Sequence, residues 1–232
     1  MLVKAKLLRH YKLVGTDSEV GRIDEFYFDD RHWTIRYVVA DTGKWLKGRQ
    51  VLLSPYALTD MISGMHEVGV NLTKEQIEKS PPIKTDEPVS RQFEESYYGF
   101  YGWPMYWAGA YLWGQYPDIV KDPSKWKNAT SHKSTWDSHL RSTREVRGYS
   151  VHALDGEAGH IDEFVIDLGT WNIKSLIIDT GSWWNGDKVF IPPSVIQNVR
   201  WGDRRVDVNL TREELKRLVI FPAMRQLNAN EL

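Results

Sequence analysis

The sequence predicts a mainly β protein made of two small closed barrels, each ending in a short helix. Three observations carry this: an internal duplication, apolar positions of period two inside each copy, and a helix-start signal after the last strand of each. The stretch Gly21–Gly43, GRIDEFYFDDRHWTIRYVVADTG, returns as GHIDEFVIDLGTWNIKSLIIDTG over Gly159–Gly181. The offset of 138 residues holds without a gap from Tyr11/Tyr149 to Glu75/Glu213. About 25 of the roughly 65 aligned pairs are identical, which marks a true repeat.

Within the first copy, Trp33, Ile35, Tyr37 and Val39 share one strand parity, and Thr34, Arg36, Val38 and Ala40 the other. That spacing predicts a strand with one apolar face, anchored by Trp33 and in the second copy by Trp171, and one mixed face. Ile23 and Phe26 are three apart around Asp24-Glu25, which a period of two cannot place on one face, so a β-bulge is expected there. Asp29-Asp30-Arg31-His32, replaced by Asp167-Leu168-Gly169-Thr170, reads as a hairpin turn. Asp41-Thr42-Gly43 closes the next strand, and Val51-Leu52-Leu53 forms a further short one that stops at Pro55. A last strand alternates Val68, Val70, Leu72 and, in the repeat, Val206, Val208, Leu210. Thr73-x-x-Gln76 and Thr211-x-x-Glu214 then have the spacing of capping boxes. Short strands at close turn spacing favour a closed barrel, which also removes exposed edges.

The pattern G-x-I-D-E-F-x-x-D, then W-x-I, an apolar run into D-T-G, then G-x-x-V and a proline, resembles the PRC-barrel. That domain is named for the cytoplasmic part of the photosynthetic reaction-centre H subunit, and it also forms the C-terminal part of the ribosome-maturation factor RimM. The resemblance covers Leu8–Lys79 and about Leu140–Phe221. It implies the fold, with Gly21, Asp24, Trp33, Asp41 and Gly43, and Gly159, Asp162, Trp171, Asp179 and Gly181, as structural motif positions. It also implies an assembly or interaction module without catalytic residues, with a possible link to photosynthetic or membrane electron-transport complexes.

The expected organisation is a first barrel over 1–79, an aromatic-rich connector over 80–139, a second barrel over 140–221 and a tail over 222–232. Ser80-Pro81-Pro82 and Asp86-Glu87-Pro88 punctuate the start of the connector. Val89, Phe93 and Tyr97 recur every four residues, as on a short amphipathic helix. A net charge of −1 leaves no electrostatic footprint for nucleic acid, which speaks against an RNA- or ribosome-associated role on the RimM pattern. The absence of cysteine excludes disulfides, thiolate metal sites and a cysteine nucleophile. The N-terminus shows no apolar core of a signal peptide and lacks the membrane span of the H subunit, so a cytoplasmic, membrane-peripheral protein is expected.

Two Asp-Thr-Gly tripeptides in a duplicated chain suggest an aspartic-type hydrolase, in which Asp41 and Asp179 would share a proton. The halves are too short for such an enzyme, and the same residues suit a turn in which Asp caps and Gly supplies positive φ. No enzyme activity and no cofactor are expected. Gly43-x4-Gly48 and Gly181-x4-Gly186 faintly resemble phosphate loops, but Arg49 and Asp187 stand where a lysine is needed. Asp24, Glu25 and Asp29, with their counterparts Asp162, Glu163 and Asp167, read as water-facing bulge and turn residues and not as a metal site.

The stretch Tyr97–Tyr116 has ten aromatics in twenty residues and no charge. Four glycines and Pro104 make it a poor membrane helix. Tyr97, Tyr98, Phe100, Tyr101, Trp103, Tyr106, Trp107, Tyr111 and Trp113 are therefore the candidate interaction residues. The partner cannot be read from them; a homodimer contact is expected, with a membrane interface as the other surface such rings favour.

Overall fold

Alternation within the strands, turn chemistry between them and capped helix starts produce the following elements in the computed structural model. It describes residues 1–46, 51–62, 66–81, 91–103, 105, 140–181 and 188–218. In chain order the first repeat has β1 (Leu2–Lys4), α1 (Ala5–Leu8), β2 (Lys12–Val14), β3 (Glu19–Asp29) and β4 (Thr34–Asp41). Next come β5 (Val51–Leu53), β6 (Leu58–Ile62), β7 (Glu67–Val70), α2 (Lys74–Lys79) and, in the connector, α3 (Arg91–Tyr101). The second repeat has β8 (Leu140–Ser142), α4 (Thr143–Val146), β9 (Ser150–Ala153), β10 (Gly156–Asp167) and β11 (Asn172–Asp179). It ends with β12 (Lys188–Ile191), β13 (Ile196–Arg200), β14 (Arg205–Val208) and α5 (Arg212–Arg217).

The fold is mainly β, with the same order of strands and short helices in each repeat, as the duplication predicts. Backbone contacts divide the chain into two units. The first-repeat unit is Leu8–Arg141 with Thr170–Asn172; the second-repeat unit is Met1–Leu7 with Ser142–Gly169 and Ile173–Leu232.

Inside the first-repeat unit, β3 pairs antiparallel with β4 and β2, β4 with β5, and β7 with β6, while β2 and β7 run parallel. The second-repeat unit repeats this register residue for residue. Val38 opposite Leu53 becomes Leu176 opposite Ile191, Leu13 opposite Val68 becomes Val151 opposite Val206, and Leu58 opposite Val70 becomes Ile196 opposite Val208. The parallel pairs β2–β7 and β9–β14 are not evident from local turn signals, because a parallel ladder joins strands distant in sequence.

The expected bulge is present: the β3–β4 register shifts between Ile23 and Glu25, which allows both Ile23 and Phe26 to be buried. Both capping boxes form as well. Thr73 Oγ1 accepts from Gln76 N at 3.1 Å and Thr73 N donates to the Gln76 side chain at 2.8 Å. Thr211 and Glu214 do the same at 3.2 and 2.8 Å.

Two expectations about strand faces are corrected. β4 does not have one buried face; every residue from Thr34 to Ala40 is buried. The parity carrying Tyr37 and Val39 packs with Leu52 against Tyr97 and Tyr98 of α3, so both faces of the strand are covered. Trp33 and Trp171 are not strand residues. They sit at the end of the hairpin turns with φ of 53° and 59°, and the strands begin one residue later. Trp171 is buried, whereas Trp33 is half-buried and stacks on Phe28 at 5.3 Å between ring centres.

β1 and β8 stand at equivalent places in the repeat. β1 pairs with β10, with Leu2 opposite Asp167, Val3 opposite Ile166 and Lys4 opposite Val165; β8 pairs with β3. The second-repeat unit thus includes the chain's first strand, and the first-repeat unit includes Leu140 and Arg141.

Candidate interaction surface

The amphipathic spacing Phe93–Tyr97 forms α3, and this helix lays an aromatic face on the first-repeat barrel. Tyr97 and Tyr98 are buried, Phe93 stacks on Tyr97 at 5.9 Å, and Tyr37 meets Tyr97 edge-on at 5.6 Å. The hydroxyls of Tyr37, Tyr97 and Tyr98 each have a partner, as rings at a covered surface require. The Tyr97 hydroxyl donates to the Leu52 carbonyl at 2.8 Å and accepts from Ser54 N at 3.2 Å. The Tyr98 hydroxyl lies 3.3 Å from Ser54 Oγ, and the Tyr37 hydroxyl donates to Glu94 Oε1 at 2.9 Å. Burial pushes the hydroxyl pKa of both Tyr97 and Tyr98 well up, so both stay neutral donors at any ordinary pH.

α3 ends at Gly102, where φ is 67°, and Trp103 N returns to the Tyr98 carbonyl at 3.0 Å. Trp103 then stacks on Tyr101 at 4.4 Å and on Tyr56 at 6.1 Å, both half-buried. Phe100 points away and is 45% exposed. Of the nine candidate interaction residues, two are therefore core, two are half-buried and one is exposed. Tyr106, Trp107, Tyr111 and Trp113 lie outside the described residues, as do Gly48 and Gly186 of the phosphate-loop resemblance.

Sequence reasoning missed Tyr37 and Ser54, the barrel groups that receive the helix, and Glu94, the helix residue that accepts from Tyr37. The signal was a break in the repeat: Tyr37 and Ser54 are matched by Ser175 and Pro192. Ser175 turns its hydroxyl to the Ile191 carbonyl at 3.1 Å, and the docking contacts of the first copy have no chemical counterpart there.

The motif residues build turns and close packing. Asp41 Oδ1 accepts from Gly43 N at 2.9 Å, and Asp179 Oδ1 from Gly181 N at 2.9 Å, with φ of 64° and 59° at the glycines. Asp41 belongs to the first-repeat unit and Asp179 to the second-repeat unit. At Gly21 and Gly159 the need is closeness: a Cβ would sit 2.2 and 2.0 Å from the carbonyl oxygens of Asp41 and Asp179.

The acidic bulge is not water-facing as expected. Glu25, Glu163 and Asp29 are buried, because the register shift turns the glutamates inward and Asp29 folds over its own turn. The half-buried Asp24 and Asp162 accept from Arg9 Nε (2.9 Å) and Arg147 Nε (2.8 Å) through their main-chain oxygens. Asp29 Oδ1 caps Arg31 N at 2.9 Å, while Oδ2 meets His32 Nδ1 and Arg36 Nη2, each at 3.0 Å. Burial would raise the Asp29 pKa; the His32 hydrogen bond and the Arg36 charge outweigh it and hold the carboxyl well below its usual range. Glu163 has the opposite balance: burial raises its pKa, and among the described residues only Phe164 N, at 2.9 Å, donates to it. Among the described residues no three His, Asp or Glu side chains gather as a metal site, and no helix is long and apolar enough to cross a membrane.

The family model of the PRC-barrel domain matches residues 2–77 and again 140–215. A search of curated proteins finds no match to this chain.

Proposed function

The chain belongs to the PRC-barrel family, and on that premise we propose that it is a non-enzymatic assembly module that presents the aromatic connector to a protein partner. One observation carries the reading. α3 is bolted to the first-repeat barrel by Tyr97 and Tyr98, while Phe100 on the same helix faces outward. The helix thus works as a rigid base from which the rest of the charge-free aromatic stretch departs. Phe100, held outward on that base, loses little conformational freedom on binding, which favours a tight contact. The partner is a second copy of the chain, and resemblance to the reaction-centre H subunit suggests membrane electron-transport assemblies as the setting, on the cytoplasmic face. The chemistry-bearing residues of both repeats support the non-enzymatic reading, since Asp41, Asp179 and Asp29 are engaged in turns.

Deleting the whole stretch would remove core tyrosines, so the test leaves α3 intact. Residues 106–116 are replaced by a Gly/Ser segment of equal length, together with Phe100→Ser. Light scattering at micromolar concentration should report a dimer for the natural chain and a monomer with unchanged circular dichroism for the variant. A natural chain that is monomeric and captures no protein partner overturns the reading; binding to anionic liposomes instead would assign the rings to a membrane surface.

A further inference from the structure

We propose that the side of β10 occupied by Leu2–Lys4 is a binding site for the N-terminal strand of a second copy of this chain, so that two molecules can assemble by exchanging β1. The proposal does not depend on the aromatic connector.

The strand that fills this site comes from the far end of the sequence. Met1–Leu7 belongs to the second-repeat unit, and the chain joins the first-repeat unit from Leu8 onward. The arrangement is not an accident of one terminus, because β8, 138 residues later, pairs with β3, the counterpart of β10. Each long strand therefore accepts the leading strand of the other repeat. What is recognised is a short extended segment: main-chain pairing over Leu2–Lys4, burial of Val3 and Ala5, and Leu2 set against Val165, Ile177 and Phe190. The same segment from another molecule makes the same contacts. Closed and exchanged forms then differ only in the hinge and in concentration.

The hinge lies between Lys4 and Leu8, where α1 leads from the second-repeat unit into the first-repeat unit. His10 follows α1 with a φ of 71°, a region that suits glycine, and the equivalent residue in the second repeat is Gly148, with a φ of 83°. Both hold the same main-chain bond, His10 N to Ile23 O and Gly148 N to Ile161 O, at 2.7 Å. The first repeat thus keeps a left-handed turn with a residue poorly suited to it, just beyond the segment that would be donated. That turn and its bond to Ile23 lie inside the first-repeat unit, so they are the same in both forms and the exchange is confined to the segment before Leu8.

The test uses two full-length variants, Leu2→Cys and Asp167→Cys, carrying different tags; the chain has no native cysteine. These positions face each other across β1 and β10. After co-refolding at high protein concentration and mild oxidation, a disulfide should join the two differently tagged chains. The yield should be at least tenfold above a control that pairs Asp167→Cys with Leu154→Cys, at a 65% exposed site off this ladder. Adding His10→Gly should leave it unchanged, because His10 lies beyond the hinge and keeps its bond to Ile23 in both forms. Replacing residues 106–116 should leave it unchanged, which separates this contact from one made by the aromatic rings. A double variant with both thiols in one chain reports the closed form. Linkage there without linkage between chains above control shows that β1 never leaves its own molecule, and overturns the proposal. Linkage in neither experiment shows that β1 does not lie on β10, and overturns it as well.

Discussion

Asp29 is where single-residue chemistry matters most. Its carboxylate is almost fully buried, accepts from Arg31 N and His32 N, and pairs with the buried Arg36. Removing its charge leaves Arg36 without this partner in a poorly solvated site, and breaking one side of a buried pair costs roughly 3–5 kcal/mol. Asp29→Asn should lower stability by about that amount in urea melts at pH 7. Because the folded pKa is depressed, the contribution is complete above the unfolded value of about 3.9 and is lost as pH falls toward the folded value. The natural chain and Asp29→Asn should therefore keep their difference from pH 7 to about pH 4 and begin to converge only below it, which melts carried down to about pH 2 would show. Glu163 gives the opposite sign. Its raised pKa means the buried charge is a burden above the unfolded value, so Glu163→Gln should raise Tm at pH 7 and give no gain near pH 3.

At the scale of elements, the repeat is held by glycines that resist a side chain for two different reasons, a left-handed φ or a close approach. Gly159 and Gly181 make the point because they fail differently when a methyl is added. Gly181 has open space around it but a φ of 59°, so Gly181→Ala should cost about 1–2 kcal/mol, the penalty for a left-handed residue. Gly159 combines a φ of 116° with a Cβ position 2.0 Å from the Asp179 carbonyl oxygen, so Gly159→Ala must push β10 off the end of β11. It should be the more damaging of the two in denaturant titrations; equal losses would mean that the close approach is easily relieved. The capping boxes are milder supports, and Thr211→Ala should cost about 1 kcal/mol by the same measurement.

At the scale of the whole molecule, each unit draws residues from both repeats. A deletion at one end of the chain should then be felt in the repeat at the other end. Removing Met1–Lys4 takes the partner of Val165–Asp167 away while leaving β2–β7 their own ladder. Amide exchange should accelerate in β10 and hardly at all in β4 or β5. Faster exchange confined to β3 and β4 would show that β1 supports its own repeat instead.

Much of this was legible because it is local. The bulge at Asp24-Glu25, the turns at Asp29 and Asp41, and the capping boxes at Thr73 and Thr211 are each set by residues within a few positions of one another. Duplication of the chain repeated every one of those signals, and so determined the architecture of two equivalent barrels. Only the tertiary structure decided which strand parity meets α3, that Glu25 and Glu163 are buried, and that Tyr37 and Ser54 receive Tyr97 and Tyr98. It alone decided that β1 belongs with β10. Those outcomes depend on contacts between segments tens to more than a hundred residues apart, and local spacing is the same whether a strand pairs with its own repeat or with the other.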